Sequence, residues 1–346
     1  MEGVVKRFLF FAVFLLYVPT VFGLDVSVQK IWDAAPHSAF TDIIRFGDAF
    51  YCTFREGTGH VPTKTTGVGD GEIRVIRSKD GTTWESVALL TKKGYDLRDS
   101  KISTTPDGRL MLVMGGSVYT NGVLGDRLPH VSFSDKNGEN FDDPVPIQVE
   151  PSIRTEKDWL WRVTWHKGTG YGVIYRARGS VWDLGIVKTT DGIRYTSVKE
   201  IKFPEATQPN EATIRFDAKD NMCILLRCEG KGVSGKFAVS PPPYSEWDWK
   251  DTGKKLGGPD FVILPSGKML AGSRTYDNGV TTALYRLDAD GKMTELVRFP
   301  GGGDTSYPGF TVYDGYVWVS YYSGHEGKTS IYLAKVKLDD VEKAME

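Results

Sequence analysis

The sequence predicts an all-β protein, a six-bladed β-propeller. Three observations carry this: a repeat of about 50 residues, short apolar strands punctuated by tight turns, and the lack of any sustained helical period. The chain has 346 residues, 40% hydrophobic and 25% charged, with 12% aromatics and 39 glycines. That composition suits one large domain of many short strands.

The chain opens on a segment of a different kind. Lys6 and Arg7 precede an apolar run from Phe8 to Val18, then Pro19 and Val21-Phe22-Gly23. This is the pattern of a secretory signal peptide over residues 1–23, and the run is too short to span a bilayer. The domain is expected over residues 24–346, secreted or periplasmic, with no membrane span in the mature chain. Cys52, Cys223 and Cys228 give no disulfide framework. A formal net charge of −1 offers no attraction to nucleic acid or an anionic membrane.

The repeat has two parts. One is Ser/Thr-x-Asp-Gly-x-x-aromatic, as Ser78 to Trp84 and Thr189 to Tyr195, with degenerate copies from Ser134 to Phe141 and Ser240 to Trp247. The starts at 78, 134, 189 and 240 are 56, 55 and 51 residues apart. The other is a strand–turn–strand unit, with turns at Gly47-Asp48, Pro106-Asp107-Gly108, Lys167-Gly168, Ala218-Lys219, Pro265-Ser266-Gly267 and Asp314-Gly315. Such pairs supply the positive φ that hairpins need. Each blade is then a four-stranded antiparallel sheet. The last repeat holds only three strands, so Val26–Trp32 is expected to complete it beside Ser330 to Val336.

In a propeller blade the start of the first strand and the end of the second meet on one face. Reading those two places gives Asp42 and Arg55, Arg98 and Asp99, Arg162 and Arg176, Glu211 and Arg227, Asp260 and Arg274, and Tyr307 with Tyr321 and Tyr322. Charges beside strongly apolar strands are costly unless paired or used. A ring of arginines opposite carboxylates suits an anionic or polyhydroxylated ligand. Arg55, His60, Arg98, Asp99, Arg162, Arg227, Arg274 and Tyr321 are therefore candidate carbohydrate-binding residues. His37, His60, His130, His166 and His325 show no ligand spacing, so neither a metal nor another cofactor is expected.

These segments resemble the sialidase superfamily. Ser78 to Trp84 resembles its Asp box, or BNR repeat, a structural motif of the blade periphery. Asn210-Glu211-Ala212 with Leu226-Arg227 resembles the segment holding the family's catalytic glutamate and a carboxylate-binding arginine. Ser306-Tyr307-Pro308 resembles the segment of its nucleophilic tyrosine. The resemblance implies a propeller of sialidase type, Tyr307 as nucleophile, Glu211 as its base, and Asp70 as acid/base. It departs from the family at Ser38 to Asp42, where no arginine stands. The reading is a glycoside hydrolase acting on an acidic sugar. The alternatives are a polysaccharide lyase acting beside a uronate through tyrosine and His60, or a glycan-binding propeller without catalysis.

Overall fold

The computed structural model describes residues 16–17, 24–62, 69–155, 157–178 and 181–346. The expected signal peptide lies outside the described residues, apart from Leu16–Tyr17 at the edge of Val26–Trp32. Six antiparallel sheets form the blades of a propeller. The first comprises His37–Phe46, Ala49–Gly57, Glu72–Ser78 and Glu85–Leu90. The second comprises Asp96–Thr104, Leu110–Thr120, Val123–Phe133 and Val145–Pro146. The third comprises Asp158–His166, Thr169–Arg178, Val181–Thr189 and Arg194–Ile201, with Gln148–Val149 added in parallel outside. The fourth comprises Pro209–Phe216, Met222–Cys228, Lys236–Ser240 and Lys250–Asp251. The fifth comprises Asp260–Ile263, Met269–Thr275, Thr281–Leu287 and Met293–Arg298. The sixth has Thr305–Tyr313, Tyr316–Ser323 and Ser330–Lys337 from the C-terminal part of the chain.

Its fourth strand is Val26–Trp32, which pairs antiparallel with Ser330–Lys337, Val26 opposite Val336. The ring therefore closes by hydrogen bonds between the two ends of the chain, as the missing strand predicted. Each first-to-second connection falls on one of the six turns read from sequence. A short helix, Leu338–Ala344, follows and buries Val341. Among the described residues no helix is long and apolar enough to cross a membrane.

Strand alternation explains the core. Each sheet buries both faces against neighbouring blades, so strands such as Met222-Cys223-Ile224-Leu225-Leu226 are apolar throughout and fully buried. Cys223 and Cys228 sit on this strand and Cys52 on another, all three as buried free thiols. The inter-blade clusters mix residues of adjacent sheets; Leu225, Phe237, Phe261, Ala271 and Tyr285, for example, seal the fourth blade to the fifth.

All four copies of the Asp-Gly unit lie where the third strand of a blade turns to the fourth. Two of them fold alike. Asp80 Oδ1 accepts from the N–H of Thr82 and Thr83, while Ser78 Oγ accepts from the N–H of Gly81. Asp191 Oδ1 accepts from the N–H of Ile193 and Arg194, with Thr189 Oγ1 accepting from the N–H of Gly192. The aromatic then packs inward: Tyr195 is fully buried, and Trp84 is partly buried against the core. These turns lie at the rim, away from the channel. Asp80→Ala removes an acceptor for two backbone donors and should cost about 1–2 kcal/mol, read as a lower melting temperature, with ligand affinity unchanged. Lost affinity at unchanged stability would contradict a purely structural turn.

Candidate active site

The channel mouth is organised by one backbone device. Near its start, the inner strand of the first blade pairs Ala39 with Arg55 and then Asp42 with Thr53, three residues against two. The same extra residue occurs between Arg98 and Lys101, Leu160 and Val163, Pro209 and Ala212, and Ser306 and Gly309. The fifth blade repeats the count just outside its strand, since Arg274 N–H donates to the Gly257 carbonyl and Asp260 pairs with Gly272. A bulge of this kind re-aims a side chain. The six equivalent positions are Phe40, Asp99, Trp161, Asn210, Gly258 and Tyr307. Four of them are left-handed: Phe40 at φ 66°, Asp99 at 55°, Gly258 at 60° and Tyr307 at 54°.

Three of the residues expected to act together do meet. The Tyr307 hydroxyl donates to Glu211 Oε1 at 2.6 Å. Arg227 Nη1 donates to Glu211 Oε2 at 2.7 Å and to the Tyr307 oxygen at 3.4 Å. The Gly258 N–H donates to Glu211 Oε2 at 2.9 Å. Only glycine fits there: a Cβ on Gly258 would lie 2.6 Å from the Tyr307 ring. Burial alone would raise the Glu211 carboxyl, but the Arg227 charge and these hydrogen bonds outweigh it and hold it below the usual range. Burial pushes the Tyr307 phenol well above its ordinary value, and the Glu211 charge adds to the shift. The ring packs against Phe40 and Trp161, with centroids 5.1 and 5.4 Å away.

Asp99 faces the same space. Burial raises its carboxyl above the ordinary range; Arg98 opposes the shift and Glu211 adds to it. Among the described residues no hydrogen bond reaches that carboxylate. Lys101, two residues on, donates to the Thr41 carbonyl at 3.0 Å and lies 5.3 Å from the Tyr307 ring centroid. Burial lowers its ammonium to about 8.

A second cluster completes the mouth around Asp304, which the sequence reading missed. Its Oδ2 is 3.0 Å from His37 Nε2 and 2.6 Å from His60 Nδ1. Its Oδ1 accepts from the Tyr322 hydroxyl at 2.9 Å and lies 4.0 Å from Arg274 Nη2. Arg274 also donates to the Thr305 carbonyl and the Tyr322 oxygen. Burial would raise Asp304, yet the hydrogen bonds from His37 and His60 outweigh it and hold the carboxyl far below its usual range. Asp304 belongs to the loop before the sixth inner strand, where strand parity gives no signal. His37 opens the first inner strand, ahead of the bulge.

Other candidates lie elsewhere. Tyr321 is fully buried; its hydroxyl donates to the Pro300 carbonyl and its ring stacks on Tyr332. Tyr322, the next residue, is the one that faces the site. Arg55 is fully buried and grips Asp96 through Nε and Nη2 at 3.1 and 2.7 Å, with Nη1 on the Gly59 carbonyl. It shapes the loop that carries His60 and presents no free donor to a ligand. Arg98 joins the same carboxylate and holds the His60 carbonyl at 2.6 Å. Asp70 accepts from the Thr58 N–H and lies 3.5 Å from Arg55, at the loop's edge. Arg162 sits deeper on the channel axis, between Asp42 at 2.6 Å and Asp260 at 3.1 Å, with Arg215 on Asp260 at 2.7 Å. It therefore does not converge with Arg227 and Arg274. Arg176 is buried on the Ile153 carbonyl.

No protein-family model matches the chain, and no curated protein matches its sequence. Solved structures do match its fold. A Dyadobacter fermentans protein of unknown function superposes with a TM-score of 0.76 at 20% identity, over 92% of this chain and 98% of that one. Trypanosoma rangeli sialidase in complex with the inhibitor DANA gives 0.70 at 13% identity, over 96% of this chain. The chain spans 60% of that sialidase's length. Penicillium chrysogenum alpha-L-arabinanase complexed with arabinobiose gives 0.65 at 16% identity, over 92% of this chain and 98% of that one. The chain thus has the sialidase-type six-bladed propeller fold.

The axial ion cluster has a testable consequence. Arg162→Met takes from Asp42 its arginine and leaves Asp260 with Arg215 alone, and should destabilise the fold by about 3–5 kcal/mol. Urea denaturation measures this, and a change below about 1 kcal/mol would show that the pairing is weak.

Proposed function

We propose that the protein is a glycoside hydrolase that cleaves an acidic sugar from a glycan. The observation that carries this reading is the buried Tyr307–Glu211 hydrogen bond of 2.6 Å, with Arg227 donating to the phenol oxygen and to the other carboxylate oxygen. A phenol with a raised pKa is a poor nucleophile by itself. A carboxylate in contact supplies the base, and an arginine stabilises the phenolate as it forms. Packing alone gives no reason for a buried glutamate, arginine and tyrosine to converge at a channel mouth. The resemblance of these segments, and of the Asp-Gly turns, to sialidases supports the reading. So does the fold shared with a sialidase and an arabinanase.

In the proposed reaction Tyr307 Oη attacks the anomeric carbon and passes its proton to Glu211 Oε1. The glycosidic carbon–oxygen bond breaks, and the leaving oxygen takes a proton from a carboxylic acid. Water then attacks the glycosyl-tyrosine, the released phenolate recovers the proton from Glu211, and the acid is restored by the water's proton. Two displacements at one carbon retain its configuration. The resemblance to sialidases favours Asp70 as the acid. The environment of Asp99 favours that residue instead, because burial and the Glu211 charge shift its carboxyl upward, the direction a proton donor needs. Arg274, partly exposed beside the dyad, is the cation proposed to meet the sugar's carboxylate. The leader-like residues 1–23 support action outside the cytoplasm.

Tyr307→Phe removes one hydroxyl and should retain fold and ligand binding while turnover falls by roughly 10²–10⁴-fold. Release of reducing sugar, scored beside formation of an unsaturated ultraviolet-absorbing product, gives the readout. Full hydrolytic activity in the variant removes tyrosine from the mechanism. An unsaturated product identifies a lyase, and silence in both assays with retained binding identifies a binding protein. Arg274→Lys should weaken binding of acidic sugars more than of neutral ones, since lysine lacks the planar fork; equal weakening would make the arginine structural.

A further inference from the structure

The cluster around Asp304 has more structure than a hydrogen-bonded carboxylate needs. Two imidazoles from different parts of the first blade reach it. One opens the inner strand and the other lies in the loop after the second strand. Both place a ring nitrogen on the same oxygen, Oδ2. The other oxygen is reserved for Tyr322 and, at longer range, Arg274. Among the described residues, the carboxylate thus has one oxygen held by a phenol with an arginine nearby and the other on which two histidines converge.

We propose that His37, His60 and Asp304 form a binding site for a divalent first-row metal ion, with zinc as its probe. The three ligand atoms lie within 4.8 Å of one another. A tetrahedral ion with bonds of about 2.0–2.2 Å sets its ligands roughly 3.3–3.6 Å apart. The two histidine-to-carboxylate distances of 3.0 and 2.6 Å are a little shorter than that. The ion is therefore admitted by a small outward movement of the rings. His60 can make it, because its side chain is 47% exposed, whereas His37 is held at 9%. Two imidazoles and one carboxylate are a donor set of intermediate softness, suited to zinc, iron or manganese rather than to calcium. Three protein ligands leave at least one position open, as in catalytic rather than structural zinc sites. The Tyr322 hydroxyl on Oδ1 is the supporting contact that a ligating carboxylate ordinarily has.

The site lies beside the channel mouth. Phe40 is 5.0 Å from the His60 ring and 5.1 Å from the Tyr307 ring, so one aromatic separates the metal site from the dyad. Oxygen donors of a bound ligand, such as adjacent hydroxyls or a carboxylate, fit its open position. Metal binding itself does not depend on the hydrolase reading.

The test uses the full chain, stripped with a chelator and titrated with zinc chloride in a calorimeter. One equivalent should bind. Cobalt substituted in the same way should give visible bands of a low-coordinate site. His60→Ala, which changes a half-exposed residue and should fold as the native chain does, should weaken zinc binding by more than the roughly 10–100-fold expected from losing a residue that only supports a ligand. Asp304→Asn should do the same, and thermal melts of the stripped variants confirm that they fold. Glu211→Gln should bind zinc as the native chain does. The proposal is overturned if the native chain binds neither zinc, cobalt nor manganese below about 1 mM, a level that corresponds to only −4.1 kcal/mol. It is also overturned if His60→Ala and Asp304→Asn bind zinc as tightly as the native chain. Either result leaves the three residues as a histidine–carboxylate hydrogen-bond cluster.

Discussion

The inner layer of the channel mouth owes its direction to the extra residue near the start of each inner strand. In a regular strand, neighbours point to opposite faces, and in a propeller both faces are covered by adjacent blades. The bulge breaks that alternation once per blade and turns a residue toward the axis. The cost is backbone strain at Phe40, Asp99 and Tyr307, non-glycine residues in the left-handed region, of order 1–3 kcal/mol each. Such conformations persist only where surrounding packing imposes them. Here Phe40 and Tyr307 pack on each other, and Trp161 from the third blade closes on Tyr307. In the fifth blade the equivalent residue is Gly258. It offers no side chain, and it leaves the space the Tyr307 ring occupies.

Below that layer the constraint is charge. Asp42, Lys101 and Asp260 hold equivalent places at the end of the bulge in the first, second and fifth blades, and Arg162 and Arg215 reach in from the third and fourth. Carboxylates on a closed axis must be paired, since an isolated buried charge costs several kcal/mol. Arg162 bridges the two carboxylates, and the Ile102 N–H completes Asp42. Asp42, Arg162 and Asp260 are all buried in this layer. Arginine at a blade top therefore has two destinations. Arg55 and Arg162 are consumed by buried carboxylates away from the dyad, whereas Arg227, paired with Glu211 and Glu229, and Arg274 stand at the mouth.

The same two features decide how much was legible in the sequence. The repeat, the six hairpin turns and the closing strand are local patterns, and each was readable. Glu211, Arg227 and Tyr307 were readable because they stand at equivalent places in successive repeats and resemble a known set. Tyr321 was a parity error: the tyrosines are adjacent, and the bulge opposite them leaves sequence with no means of telling which one faces the axis. Arg55 and Arg162 were read as ligand contacts because their carboxylates, Asp96 and the pair Asp42 and Asp260, lie 41, 120 and 98 residues away. Asp304 sits just before a strand and His37 is the first residue of one, ahead of its bulge, where alternation gives no signal. Their meeting with His60 is a property of ring closure, which sets the last blade beside the first.

Ring closure also bears on how one mouth holds two carboxyls whose environments differ. Glu211 and Asp99 are both buried carboxylates, yet their environments act in opposite directions. Glu211 receives an arginine, a phenol and a backbone N–H, and these outweigh burial. Asp99 has Arg98 and Lys101 as neighbours, but burial and the Glu211 charge prevail. Each carboxylate helps to set the other: the ionised Glu211 disfavours a second negative charge across the channel. The two carboxyls are thus shifted apart, Glu211 downward and Asp99 upward, the kind of separation that distinguishes an acceptor from a donor. Asp99 comes from the second blade and Glu211 from the fourth, so the curvature of the ring brings them to one mouth. On this account the hydrogen bonds between Val26–Trp32 and Ser330–Lys337 that close the ring also maintain the acid–base asymmetry at its centre.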